Sequence, residues 1–213
     1  MTHDLTWLEA PENFGQRRVP VGEYLKLKKN SLLLYIYLQK ISKWNQQEIH
    51  RYIKESELDK TKISKNLRMS LASVYRKLDN LEKIGLIFYI EKENKKGKKE
   101  KYLVLPQVGD YYTLVDVNLK FVKSVLALCD EVLLRVFLFH KTMGANGEEY
   151  YPSLEYIAKS IGYSPTHLQK IIDANNVLEG FEIIKIRKET YRSEQGITQK
   201  NYYTYLKATK NED

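Results

Sequence analysis

The side chains with the clearest chemical capacity in this sequence are cations in clusters. Arg76 follows Ala72 and Ser73 and precedes Lys77 and Asn80, and Lys95, Lys96, Lys98 and Lys99 crowd around Gly97. A guanidinium is a rigid planar donor that can bond two acceptors at once, whereas a run of ammonium groups attracts a polyanion by displacing its condensed counterions. Groups suited to catalysis are not clustered in this way. His3, His50, His140 and His167 share no metal-ligand spacing with one another or with Cys129. Neither a G-x-x-x-x-G-K-S/T nor a G-x-G-x-x-G stretch occurs to cradle a nucleotide phosphate. The pairs Tyr111 and Tyr112, Tyr150 and Tyr151, and Tyr202 and Tyr203 lack the histidine cluster that a metal-dependent nuclease sets beside its tyrosine, and they read as strand-face packing. The sequence therefore predicts binding without catalysis, with no cofactor and no metal.

The whole chain carries a formal net charge of +8, which agrees with a polyanionic partner. With 43% hydrophobic residues and 17 tyrosines, it is rich enough in apolar and aromatic groups to fold nearly throughout. Its 213 residues suffice for two small cores. The single cysteine, Cys129, excludes an intramolecular disulfide and lies in the apolar run 125–134, where an inert buried thiol is expected. Residues 1–10 lack the pattern of an export signal, and no apolar run approaches the roughly 20 residues needed to span a bilayer. A cytoplasmic protein with no membrane partner is expected.

A repeat organises the positions around these cations. An offset of 94 residues superposes Ile63 to Leu67 (ISKNL) on Ile157 to Ile161 (IAKSI), and Ser70 on Ser164. It continues through Val74 with Leu168, Leu78 with Ile172, and Ile84 with Leu178, after which a gap of one residue aligns Gly85 with Gly180. Each copy reads as a short helix, a tight turn, a longer helix and a two-stranded hairpin. In the first copy Thr61 caps a helix over 62–67, Ser70 caps another over 71–84, and Gly85 supplies the left-handed stop. Strands over 86–90 and 102–105 flank a polar loop, 91–101. In the second copy Ser153 caps a helix over 154–161 that ends at Gly162. Ser164 caps the next helix, with Pro165 at its first position, where a missing N–H costs nothing. Strands over 181–186 and 202–206 flank a polar loop, 187–201.

An apolar helix precedes each copy, over 30–41 and over 130–141, and a further helix is expected over 46–57. A connection over 106–118 leads into an amphipathic segment, 119–128, which is expected to join the 130–141 helix in one long element. The predicted organisation is an N-terminal arm (1–23), a first domain (24–106), a linker (107–118) and a second domain (119–213).

Ser70 to Arg76 (SLASVYR) followed by Leu81 to Ile87 (LEKIGLI) resembles the recognition helix and first wing strand of winged-helix DNA-binding proteins. The resemblance covers residues 30–105 closely and 130–207 more loosely. It implies an α+β, mainly α fold of two winged helix-turn-helix domains in tandem, each a three-helix core with a β-hairpin wing. Two such modules in one chain also resemble the replication initiators of plasmids and phages, at the level of architecture.

In a helix-turn-helix the second helix enters the major groove of DNA, where every base pair presents a distinct donor and acceptor pattern. With Val74, Leu78 and Leu81 inward, the outward set is Ala72, Ser73, Arg76, Lys77 and Asn80. Arg76 is the expected base reader, through a two-pronged contact with guanine. Thr61, Lys62, Lys65 and Arg68 are expected to hold phosphates, Ser70 to belong to the same DNA-contacting surface, and the wing lysines to lie along a backbone or reach into a minor groove. The second copy offers Ser164, Thr166, His167, Gln169 and Lys170 on its helix and Lys188 and Arg192 on its wing, diluted by Asp173, Glu189 and Glu194. Two readings of it stay open: base contact with few phosphate anchors, or a surface for protein contact or dimerisation.

The expected activity is thus sequence-specific binding of double-stranded DNA, in replication initiation or its control on a plasmid or phage. Transcriptional regulation is the alternative, and a winged-helix protein-interaction scaffold the alternative of another class. Expected partners are double-stranded DNA and either a second copy of the chain or the replication or transcription machinery. RNA binding is not expected, because no exposed aromatic sheet motif is apparent in the sequence.

Overall fold

Residues Ser31 to Gln39 are all buried, and they form most of one helix, α1 (Ser31–Ile41). A helix that is apolar on every side has to be enclosed by other elements, so this run sets the centre of a folded unit. The computed structural model describes residues 16–27, 31–45, 50–94, 97–106, 112–117, 120–193 and 196–206. Among these the protein is α+β, with seven α-helices and nine strands in small sheets. The chain divides into two compact units, with breaks after Pro20, after Leu27 and after Cys129. Val21–Leu27 belongs with the unit that begins at Asp130, and the rest up to Cys129 forms the first. No helix is long and apolar enough to cross a membrane among the described residues.

In the first unit α1 is preceded by β1 (Gln16–Pro20) and followed by β2 (Lys43–Asn45), β3 (His50–Lys54), α2 (Lys60–Asn66), α3 (Leu71–Lys83), β4 (Phe88–Glu93) and β5 (Lys99–Leu105). Four of the strands form an antiparallel sheet in the order β2-β3-β5-β4. Ile63 from α2, Leu67 just after it, Val74, Leu78 and Leu81 from α3, and Leu103 from β5 are all buried. Each contributes roughly 1.5–3 kcal/mol by leaving water.

The helix expected over 46–57 is not formed. Its described part is strand β3 and a 3-10 turn, Glu55–Glu57, while 46–49 lie outside the described residues. Arg51 and Ile53 are buried and alternate with half-buried neighbours, the period of a strand, and they stand opposite Leu105 and Leu103. A pairing partner some fifty residues distant in sequence thus overrides a weak local preference.

The expected arm and linker are also corrected. Part of each is a strand: β1 pairs antiparallel with β6 (Tyr112–Asp116), with Arg18 opposite Leu114, and α4 (Lys120–Leu128) follows in the same unit. Residues 1–15 and 107–111 lie outside the described residues. Nor does α4 continue into the next helix. Cys129 has a left-handed φ of 57°, and the Asp130 side chain accepts a hydrogen bond from the Leu133 N–H to start α5 (Glu131–Met143) afresh. The boundary expected at residue 119 therefore falls at Asp130.

The second unit continues with β7 (Glu149–Tyr150), α6 (Leu154–Ser160), a 3-10 turn (Pro165–His167), α7 (Leu168–Gly180), β8 (Ile184–Ser193) and β9 (Gly196–Tyr205). Its sheet order is β7-β9-β8. The polar stretch 187–201, expected as a loop, is mostly strand: β8 and β9 pair from Ile184 opposite Tyr205 out to Ser193 opposite Gly196, leaving 194–195 outside the described residues. Alternation across a hairpin tolerates polar residues on a solvated face, so polarity alone misplaced the loop.

Val21–Leu27, with a 3-10 turn over Gly22–Lys26, is fastened to this unit by Arg135 of α5. One terminal nitrogen, Nη1, donates to the carbonyl oxygens of Leu25 at 2.7 Å and Ile161 at 2.9 Å. The other, Nη2, donates to the Leu27 carbonyl and to Glu131 Oε1, the latter at 2.9 Å. Gly162 permits this docking. Its φ is +77°, and a Cβ there would stand 2.9 Å from Lys26 Cα.

Candidate nucleic-acid interface

The helix-turn-helix of the first unit is built by two caps and a strained turn. Asp59, not Thr61, caps α2: its carboxylate accepts from the Lys62 N–H at 2.8 Å, so the helix starts two residues before the expected position. Thr61 and Lys62 lie within the first turn and are exposed, as are Lys65 and Arg68. Ser70 caps α3 as expected, accepting from the Ser73 N–H at 3.2 Å.

The turn between these helices places Arg68 at φ 47°, a left-handed conformation that the second unit gives to Gly162 at the matching position of the 94-residue repeat. A side chain with a Cβ is held there at a cost of roughly 1 kcal/mol. Arg68→Gly is therefore expected to leave stability unchanged or raise it by up to about 1 kcal/mol while removing a cation from the turn. Urea unfolding checks this, and a loss of stability would mean that Arg68 is retained for packing.

On α3 the inward stripe is Val74, Leu78 and Leu81, as expected, and the outward surface carries Ala72 and Arg76, with Ser73 and Asn80 half-buried. Arg76 Nη2 lies 3.4 Å from Ser73 Oγ, which in turn bonds Ser70 Oγ at 2.9 Å. Asp79 is engaged by Lys83 at 2.7 Å, so the carboxylate one turn from Arg76 is occupied elsewhere. Lys77 corrects the expected outward set. It is only 8% exposed, because at helical spacing it sits on the same stripe as Val74 and Leu81 and its methylenes join that face. Two further residues, absent from the outward set expected from the sequence, are exposed beside these: Tyr75, with Lys60 Nζ 5.3 Å from its ring centroid, and Leu71. Lys60 falls next to Thr61 in the sequence, and a correct cap at Asp59 would have found it.

The β4-β5 hairpin, expected as a wing, is a tighter and more balanced structure than a charged loop. Strands β4 and β5 extend to Glu93 and Lys99, and its tip is closed by Asn94, whose side chain accepts from the Lys98 N–H at 3.1 Å. Lys98 and Lys99 are exposed at this tip, whereas Lys95 and Lys96 lie outside the described residues. Opposed pairs Glu91 with Lys101 and Glu93 with Lys99 offset part of the charge. Glu100 is held by Lys54 at 2.8 Å, by the Tyr102 hydroxyl at 2.7 Å and by the Asn94 amide at 3.0 Å. These hydrogen bonds, led by Lys54, lower its pKa to about 2, so this carboxylate stays charged but neutralised by a partner in the same sheet.

The second unit's counterpart differs. Ser164 starts a 3-10 turn rather than the α-helix, accepting from the Thr166 N–H at 3.4 Å, and α7 begins three residues later. Thr166 Oγ1 lies 3.3 Å from His167 Nδ1, and Gln169 donates to Asp173 at 2.8 Å. Lys170, Lys188 and Arg192 are exposed. Helix α7 runs through Gly180, and the left-handed stop is Glu182 at φ 55°, so Gly180 is not the equivalent of Gly85.

Sequence reasoning missed a whole face of the second sheet. In a strand adjacent residues point to opposite sides, so the neighbouring tyrosines Tyr202 and Tyr203 of β9 send one ring outward and the other inward. Tyr203 is fully buried, while Tyr202 meets Tyr151 on the outer face, ring centroids 5.7 Å apart.

No protein-family model matches the chain, and no curated protein is similar to it at a significant level.

Proposed function

We propose that this chain is a sequence-reading double-stranded DNA-binding protein built from two winged-helix modules in tandem, with the main DNA surface on the first. The observation that carries the reading is Arg76, exposed on α3 opposite the buried stripe of Val74, Leu78 and Leu81 and bonded to the neutral Ser73 hydroxyl rather than to a carboxylate among the described residues. A guanidinium so presented is available to guanine O6 and N7. Arg68, Lys62 and Lys65 supply exposed cations on the preceding helix and turn, and the hairpin tip adds Lys98 and Lys99. The order helix, two strands, helix, turn, helix, hairpin supports the winged-helix reading of the first unit, and a similar order with a single strand after the first helix, helix, strand, helix, turn, helix, hairpin, is found in the second.

The test is selection of bound duplexes from a random library, followed by titration. Arg76→Ala is expected to relax preference at one base position, a loss of discrimination of about 1–3 kcal/mol. Replacing Lys98 and Lys99 together by Ala is expected to weaken binding to all sequences and to reduce the slope of log K against log salt by roughly 0.9 for each phosphate that is no longer neutralised. Binding of both variants indistinguishable from the parent would remove the first unit as reader. Replication initiation on a plasmid or phage is the role we favour. Footprints over iterated sites beside an AT-rich segment support it, and footprints over a promoter support transcriptional regulation instead.

A further inference from the structure

The outer face of the β7-β9-β8 sheet carries a row of aromatic rings interleaved with cations. Directly opposed residues share a face, which places Glu149 with Thr204 and Lys185, and Arg187 with Tyr202, on the solvent side. Tyr151 is 61% exposed and Tyr191 44% exposed, at the two ends of the row. Between them lies Tyr202, whose ring centroid is 5.7 Å from that of Tyr151 and whose hydroxyl is 2.7 Å from that of Tyr191. Lys200 Nζ stands 3.6 Å from the Tyr151 centroid and 5.2 Å from that of Tyr202, and the Arg187 guanidinium lies 4.2 Å above Tyr202.

The carboxylates of this face are already engaged. Glu149 takes two hydrogen bonds from Arg187, at 3.0 and 2.6 Å, and Glu189 takes one from Arg187 and another from the Tyr191 hydroxyl. Lys185 and Lys200 are left as the cations opposed to a ligand's charge. None of these rings is needed for the core, which Tyr203 and Tyr205 fill from the other side.

Flat hydrophobic rings alternating with positive charges complement a chain in which flat bases alternate with phosphates. A duplex hides its base faces in the stack, so a ring platform has nothing to stack on there. We infer that the outer face of the second unit's sheet binds single-stranded DNA, stacking bases on Tyr151 and Tyr191 with Lys200 beside the backbone. This site is separate from the duplex-reading surface of the first unit, and neither proposal requires the other.

The experiment is a fluorescence-anisotropy titration of the full chain with a labelled oligothymidine, which forms no duplex. Tyr151→Ser and Tyr191→Ser, at exposed positions, are each expected to weaken binding roughly ten-fold while leaving the salt slope unchanged, because stacking releases no counterions. Tyr151→Phe is expected to bind like the parent, since the π face is kept. Lys200→Glu is expected to reduce both affinity and salt slope. Affinity for the selected duplex serves as the control and is expected to stay within two-fold for all four variants, which separates failure of this proposal from failure of the duplex reading. Unchanged oligothymidine binding by both serine variants overturns the proposal, as does parent binding no tighter than that of the double serine variant. Tighter binding of an oligouridine than of the oligothymidine overturns the assignment to DNA.

Discussion

Arg135→Ala is expected to destabilise the second unit by about 3–5 kcal/mol, the largest effect of any single substitution considered. The guanidinium is 3% exposed and meets four acceptors: the carbonyls of Leu25, Leu27 and Ile161 and the carboxylate of Glu131. Truncation takes the guanidinium away from Glu131, itself 4% exposed, and strands three carbonyls that a methyl group cannot satisfy. The double replacement Arg135→Met with Glu131→Leu is expected to recover most of the carboxylate's share, because it removes both charges, but not the fastening of Val21–Leu27. Urea unfolding monitored by far-UV circular dichroism separates these contributions. If Arg135→Ala lowers stability by less than about 1 kcal/mol, the arginine is not the fastening that its geometry suggests.

The second large effect is on pH dependence, through His140. Its ring is completely buried on α5, with Nδ1 2.8 Å from the Tyr150 hydroxyl and Nε2 2.8 Å from Asn175 Oδ1. Burial lowers its pKa from 6.5 to about 4, the hydrogen bond to Asn175 opposing this only in part. In the unfolded chain the same histidine takes up a proton near pH 6.5, so below that pH the unfolded state binds the proton and the folded state does not. Stability from this residue is therefore fully present above pH 6.5 and falls as the pH drops, by about 1.4 kcal/mol per unit, until the folded form is protonated near pH 4. The expected total is on the order of 3 kcal/mol. His140→Gln, which cannot titrate, is expected to be less stable at neutral pH but to lack this slope. The difference between the two pH profiles isolates the histidine from the carboxylates that titrate in the same range, and parallel profiles would show that His140 is not held neutral.

Much of the first unit was legible because its signals are local. Ser70 as a cap, the stripe of Val74, Leu78 and Leu81, and the left-handed Gly85 each depend on residues within one or two turns, and all are found where the sequence places them. The elements that were misread depend on partners far along the chain. Strand β3 exists because β5 lies beside it, and β1 because β6 does. Polarity hid the long β8 and β9 hairpin, since a solvated strand and a loop have similar composition. At the candidate DNA surface Arg76, Arg68, Lys62 and Lys65 are exposed as expected, whereas Lys77 is buried, because a long aliphatic stem lets a lysine occupy the margin of an apolar stripe.

By itself the sequence determined that the chain contains a repeated helix-turn-helix grammar and an excess of cations around the first copy, because capping, helical periodicity and formal charge are properties of short segments. Tertiary structure alone decided where one unit ends and the next begins. It broke the expected long helix at Cys129, gave Val21–Leu27 to the second unit through Arg135, and turned Tyr151 and Tyr202 outward beside their buried or half-buried neighbours Tyr150 and Tyr203. The physical reason is the same in each case: the free energy of burying a carbonyl, a guanidinium or an aromatic ring depends on which groups meet it, and those groups are brought together only when the chain has folded.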